Sequence, residues 1–162
     1  MILSLLHDYT IKIVRRILLY SYKGRFHAVG SNVIFDILTS TFSFQSISLG
    51  DNVYIGSNAF FSSSHGKIKI DDNVMFGPGV KILGGNHKFD LDTPMFFQHK
   101  TEEDDDGSII IENDVWIGAN VIILPNVRIG EGCIVGAGSV VTRDLSKFSI
   151  YAGNPCKFLR KR

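Results

Sequence analysis

The run Gly84-Gly85-Asn86-His87-Lys88-Phe89-Asp90 holds the residue types best suited to chemistry in this 162-residue chain. Imidazole, with an unperturbed pKa near ~6.5, is the side chain best matched to taking a proton at neutral pH. The carboxylate of Asp90, three residues on, is one candidate for fixing the tautomer of His87; a main-chain carbonyl is another. The two glycines can present N–H groups to a developing oxyanion. A lone loop histidine is usually just solvated, so the surroundings of His87 decide its reading. His7, His27 and His99 stand in no such surroundings. Two charged clusters also ask for a role. The close of the chain carries Lys157, Arg160, Lys161 and Arg162, a possible phosphate clamp or a solvated tail. Glu102, Glu103, Asp104, Asp105 and Asp106 suggest a metal site less than solvated chain, because consecutive like charges repel; a flap that orders on substrate is the middle reading.

The elements that must position these residues are legible from a period of six. Ile111, Ile117, Ile123, Ile129, Val135 and Val141 follow one another without a slip. Gly118, Gly130 and Gly136 come next in three of these units, and Val115, Val121, Val127, Cys133 and Ser139 hold the fifth place. Six steps of a helix return a side chain about 120° from its start, so an α-helix cannot use this period. A three-sided solenoid can, with one hexapeptide for each flat side and the bulky and small residues inside.

Traced backward the register is broken but recoverable. Leu49, Ile55 and Phe61 are six apart, as are Ile70, Phe76 and Ile82, and Val29 with Phe35 fits loosely. Leu49 to Ile70 is one coil plus three residues, and Ile70 to Ile111 is one coil plus twenty-three. The excess after Ile82 is therefore a loop ejected from the solenoid, at about 84–108, with His87 at its root. Loops on a rigid repeat are common sites of chemistry.

Composition fits one compact domain: 44% hydrophobic residues and sixteen glycines suit a turn-rich solenoid. A net charge of +1, with no basic and aromatic stacking surface, argues against nucleic acid. Cys133 and Cys156 make no disulfide framework and read as reduced thiols of a cytoplasmic protein. At the N-terminus, Ile2, Leu5, Leu6, Tyr9, Ile13, Ile17 and Tyr20 follow helical spacing, with Leu3, Val14 and Leu18 widening the stripe. Asp8, Lys12, Arg15 and Arg16 interrupt it, leaving no uncharged span of about 18 residues for crossing a bilayer. Residues 1–25 are expected to form a helix capping the solenoid, with an interfacial membrane helix as the alternative. Residues 26–155 then form the solenoid, and 156–162 a basic tail.

Three motifs in order carry a resemblance: Asn86-His87-x-x-Asp90 before a long loop, Asn113-Asp114-Val115-Trp116-Ile117-Gly118-Ala119-Asn120, and Val135-Gly136-Ala137-Gly138-Ser139-Val140-Val141-Thr142-Arg143-Asp144 followed by Ala152-Gly153-Asn154-Pro155-Cys156-Lys157. From about Leu49 to Arg160 the chain resembles the hexapeptide-repeat acyltransferases, the branch with galactoside, maltose, polysaccharide and streptogramin acetyltransferases. The resemblance implies an all-β fold, a left-handed parallel β-helix, with acetyl-CoA as acyl donor and no metal. It further implies a homotrimer with clefts between subunits. The family's catalytic histidine matches His87. Donor contacts match Gly118, Ala119, Ala137, Thr142, Arg143, Lys157 and Arg160. Its acceptor-binding asparagine is matched most nearly by Asn58, across a gap; Asn86 and His65 join the acceptor side, His65 lying one coil before Asn86. Trp116 packs against the donor or wedges between coils or subunits.

The function so implied is transfer of an acetyl group to a carbohydrate hydroxyl, with a surface polysaccharide or its sugar precursor as acceptor. A xenobiotic or an amino-sugar amine is the alternative acceptor. A hydratase like the γ-class carbonic anhydrases needs three zinc-binding histidines, which the spacing of His65, His87 and His99 does not supply. A non-catalytic scaffold leaves the loop histidine and the basic close unexplained.

Overall fold

The computed structural model describes residues 2–63, 66–87, 93–98 and 107–162. Helix α1 (Ile2–Lys23) leads into five complete coils of three short strands each. The first holds β1 (Ala28–Val29), β2 (Ile34–Phe35) and β3 (Thr41–Phe42); the second β4 (Ile47–Leu49), β5 (Tyr54–Ile55) and β6 (Phe60–Ser63). The third holds β7 (Ile68–Ile70), β8 (Met75–Phe76) and β9 (Lys81–Gly84); the fourth β10 (Ile109–Ile111), β11 (Trp116–Ile117) and β12 (Ile122–Ile123). The fifth is β13 (Arg128–Ile129), β14 (Ile134–Val135) and β15 (Val140–Val141), and β16 (Ser149–Ala152) and β17 (Lys157–Lys161) close the stack. Like strands stack in parallel into three sheets. Side A is β1-β4-β7-β10-β13, side B is β2-β5-β8-β11-β14-β16-β17, and side C is β3-β6-β9-β12-β15. The fold is a three-sided parallel β-helix, as the period requires.

The six-residue period is the packing rule of the interior. Ile111, Ile117, Ile123, Ile129 and Val141 are wholly buried, with Val135 all but so, and Val121, Cys133 and Ser139 fill the small places between them. Earlier coils solve the same problem with rings. Phe26, Phe35, Phe42, Phe61 and Phe76 form an edge-to-face chain with centroids 5.1 to 5.5 Å apart at the Phe26–Phe35, Phe35–Phe42, Phe42–Phe61 and Phe61–Phe76 steps. Corners need left-handed backbone, which asparagine and glycine tolerate. Between sides A and B, Asn32, Asn52 and Asn73 take φ of 50°, 56° and 60° and link in an amide ladder, each step 3.0 Å.

Among the described residues the longest insertions fall on the corner between sides C and A. There the first coil makes a short 3-10 turn, Phe44–Ser46. The second inserts its extra residues after Ser63, and the third ejects the long loop after Gly84. The stack does not notice: β7 pairs with β10 in full register, Ile68 with Ile109 and Ile70 with Ile111.

Two features differ from the sequence expectation. Helix α1 is present, but the apolar stripe is not its packed face. Leu19 and Tyr22 pack on the core, whereas Tyr9, Ile13, Ile17 and Tyr20 are 67%, 45%, 60% and 64% exposed. The periodicity identified a face, and its partner lies outside this chain's own core. The closing residues, read as a tail, form β17, which turns back antiparallel on β16, while Cys156 is buried beneath.

An ion cluster with no sequence signal braces the coil that follows the loop. Glu112, buried, accepts from Arg128 Nε at 2.7 Å and from the Glu131 N–H at 2.9 Å, with Lys147 Nζ at 3.2 Å. The Glu131 N–H and then Arg128 pull its carboxyl down to about 2. A depressed carboxyl stabilises the fold fully above its unfolded pKa and loses that contribution as pH falls towards the folded value. Replacing Glu112 by Gln is expected to destabilise the fold by about 1–3 kcal/mol at neutral pH. The difference between wild type and variant should shrink between about pH 4.5 and 2. Thermal melts over that range check it; a constant difference would exclude the carboxylate as the cause.

Candidate active site

His87 lies three residues past the end of β9, exposed, on the corner between sides C and A. Its N–H donates to Asn86 Oδ1 at 3.0 Å, an Asx contact that orients the segment leaving the coil. The root of the loop is a narrow neck. Gly107 takes a φ of +72°, and a Cβ there would stand 2.7 Å from the nitrogen of Gly85. Only glycine fits such a crossing. Beside the neck Ser108 Oγ accepts from the Lys67 N–H at 3.1 Å, and Ser63 Oγ donates to the Gly66 carbonyl at 2.5 Å. Asp90 and His65, assigned to the site from sequence, lie outside the described residues, as do Glu102 to Asp106.

The residues matched to the donor separate into two groups. Gly118 and Ala119 follow β11, and Ala137 follows β14, so they stack on the corner between sides B and C. A Cβ on Gly118 would meet the Ala137 nitrogen at 2.6 Å. Small residues therefore let the coils pack closely here: Gly118 is buried, its N–H donating to the Val135 carbonyl at 2.8 Å, and Ala137 is exposed with only a methyl group on the surface. Lys157 begins β17 at the same corner, opposite Ala152, and Arg160 pairs with Ile150 in mid-strand; both are exposed. Thr142 and Arg143 follow β15 and sit on the other corner, two coils beyond the loop root. Asn58, with φ of 57°, turns between sides B and C in the second coil, where its N–H donates to Thr39 Oγ1 at 3.0 Å.

Within one chain, then, His87 and the small-residue corner stand on opposite edges of side C. A six-residue side spans on the order of 15–20 Å. The structure brings Thr142 and Arg143 to the corner of His87, and joins Asn58, Gly118, Ala119, Ala137 and Lys157 on the other. Sequence reasoning missed Gly77, which continues the small-residue corner one coil below Gly118. Its signal was the same glycine after an inward residue, here after Phe76.

Neither thiol is equipped as a nucleophile. Cys133 and Cys156 are buried, and burial pushes both thiols up from the usual cysteine value. Among the described residues no three His, Cys, Asp or Glu side chains gather where they could hold a metal ion. Trp116 projects outward from side B, about half exposed, in an apolar row with Ile34, Tyr54, Met75 and Ile134.

Comparison with known proteins agrees with this architecture. The model of bacterial transferase hexapeptide, six repeats, matches residues 108–143. A Staphylococcus aureus (strain COL) protein bearing the name putative acetyltransferase is 39% identical over 137 residues, covering 84% of this chain and 65% of that protein. The chain thus spans about two thirds of the length of the curated relatives it matches. A maltose O-acetyltransferase structure from Clostridium difficile 630 has a TM-score of 0.72 at 31% identity, over 85% of this chain and 71% of that one. A Vibrio cholerae hexapeptide-repeat acetyltransferase complexed with acetyl coenzyme A has a TM-score of 0.76 at 28% identity, over 86% and 73%. An N-acyltransferase from Bacillus cereus in complex with dTDP and 3-hydroxybutyryl-CoA has a TM-score of 0.67 at 27% identity, over 88% and 87%. The chain belongs to the hexapeptide-repeat acetyltransferase family.

Proposed function

We propose that this protein is an acetyl-CoA-dependent O-acetyltransferase acting on a carbohydrate hydroxyl, a surface polysaccharide or its sugar precursor. The observation that supports it best is the corner of small residues at Gly118, Ala119 and Ala137, low in side-chain bulk, with Lys157 at its end. A pantetheine arm can lie along such a corner while a cation takes a nucleotide phosphate. His87 acts as general base, with Asp90 as its orienting partner. It takes the hydroxyl proton as the acceptor oxygen attacks the thioester carbonyl. The tetrahedral oxyanion collapses, the C–S bond breaks, and the departing sulfur takes the proton back from the imidazolium. No acyl-enzyme is needed, which agrees with two buried thiols.

The separation of His87 from the small-residue corner supports a site shared between chains, in a homotrimer. His87 of one chain then faces Gly118, Ala119, Ala137 and Asn58 of the next, and the apolar row through Trp116 offers area for a neighbour to cover. Asn86 and His65 complete the acceptor side. A cytoplasmic location fits two free cysteines and a CoA thioester donor.

Release of CoA measured against sugars, nucleotide sugars, xenobiotics and amines tests the reading. Turnover is expected with a sugar hydroxyl; turnover confined to amines would move the acceptor to the amine class, and none with any acceptor would reject the transferase. Replacing Lys157 and Arg160 by alanine should raise KM for acetyl-CoA by about tenfold, and far less for acetyl-dephospho-CoA. Equal effects on both donors would make these residues an ordinary basic strand.

A further inference from the structure

We infer that α1 docks the protein on an anionic membrane surface, lying in the interface rather than crossing it. The exposed row is continuous: Tyr9, Ile13, Ile17 and Tyr20 fall within about 80° of one another on a helical wheel and run along roughly 16 Å of helix. Soluble proteins seldom leave such a row to water. The face of α1 that packs, through Leu19 and Tyr22, points nearly the opposite way, and Arg15 pairs with Asp36 at 3.5 Å. The helix is therefore fixed on the body with its apolar row turned outward.

Charge says what covers it. Residues 2–23 carry four basic side chains, Lys12, Arg15, Arg16 and Lys23, against one acidic, Asp8. By helical phase Lys12, Arg16 and Lys23 line one edge of the apolar row, and Lys12 and Arg16 are exposed. Tyrosines stand at both ends of the described row, a residue type that suits the boundary between headgroups and acyl chains. Apolar row, aromatic ends and basic edge together are the composition of a helix that lies in a lipid interface. Among the described residues no helix is long and apolar enough to cross a membrane. The other exposed apolar row, through Trp116 on side B, has Asn73, Asp114 and Arg162 at its rim, and there Arg162 is paired with Asp114 at 2.7 Å. A second copy of the chain suits that surface, and lipid suits α1.

The full-length protein is tested by flotation with phosphatidylcholine–phosphatidylglycerol vesicles and with pure phosphatidylcholine vesicles. Binding is expected to the anionic vesicles, weaker to the neutral ones, and reduced by salt. Removing Lys12 and Arg16 together, as K12Q and R16Q, should lower partition by about 25-fold, a factor of roughly five for each charge. Replacing Ile13 and Ile17 by Asp should abolish binding to both vesicles, while the assembly state by light scattering stays that of wild type. No binding by wild type, or unchanged binding by the aspartate variant, overturns the proposal. So does loss of assembly in that variant, which would mean that a second chain covers the row. The readout is binding alone, so it fails or stands separately from the transferase reading.

Discussion

Replacing His87 by alanine is expected to lower acetyl transfer by about 10²–10⁴-fold and to leave CoA binding unchanged. The reason lies in what each part contributes. A thioester is already activated, so the barrier that remains is attack by a neutral hydroxyl, and the base lowers it only if it takes the proton as the C–O bond forms. Because His87 is exposed at the mouth of the loop, its side chain carries no core packing, and stability should stay within ~0.5 kcal/mol. Single-turnover rates, CoA titration calorimetry and a thermal melt on the same preparation separate the three effects. Transfer within tenfold of wild type would remove His87 from the role of base.

The second large effect is a recovery. An Ala137→Trp chain, its small-residue corner filled, should fail to bind donor; a His87→Ala chain should bind donor and fail to transfer. If each site takes His87 from one chain and the small-residue corner from its neighbour, mixed trimers contain sites with both parts intact. Every hybrid trimer, whichever chain is doubled, contains one whole site in three, so activity should rise to about a third of wild type. Co-expression with two different tags, followed by tandem purification and assay, measures it. Hybrids as inactive as their parents would mean that each chain builds its own site.

How much was legible beforehand divides along a physical line. Inward residues repeat every six positions, so the late coils could be read directly; each of Ile111, Ile117, Ile123 and Ile129 is buried as the period demands. The first coils were harder because Phe26, Phe42 and Phe61 fill the same volume with fewer, larger groups, and the amphipathic signal weakens. The separation of the residues matched to the donor between two corners was not read from the sequence. Spacing gives the side of a coil, but Thr142 lies one side further on than Ala137, a difference of five residues that only the corner assignment reveals. Glu112 was silent because its partners, Arg128 and Lys147, are sixteen and thirty-five residues away. Helix α1 was legible as a helix, but periodicity finds an apolar face and carries no address for its partner. The roles of Asp90 and His65 stay with the sequence, beyond the described residues.

The neck at Gly85 and Gly107 has a consequence for how such enzymes diversify. Coil three hands over to coil four with its ladder unbroken, the Ile109 N–H donating to the Lys67 carbonyl at 2.9 Å across the insertion. The solenoid thus registers the whole loop as a single tight junction. Doubling the length of a flexible loop costs only about 0.6 kcal/mol in closure entropy. The segment between the two glycines can be exchanged wholesale, like an interchangeable tool head on a fixed spindle. A change of length between Gly85 and Gly107 then leaves the ladder of the shaft and the small-residue corner across side C in place.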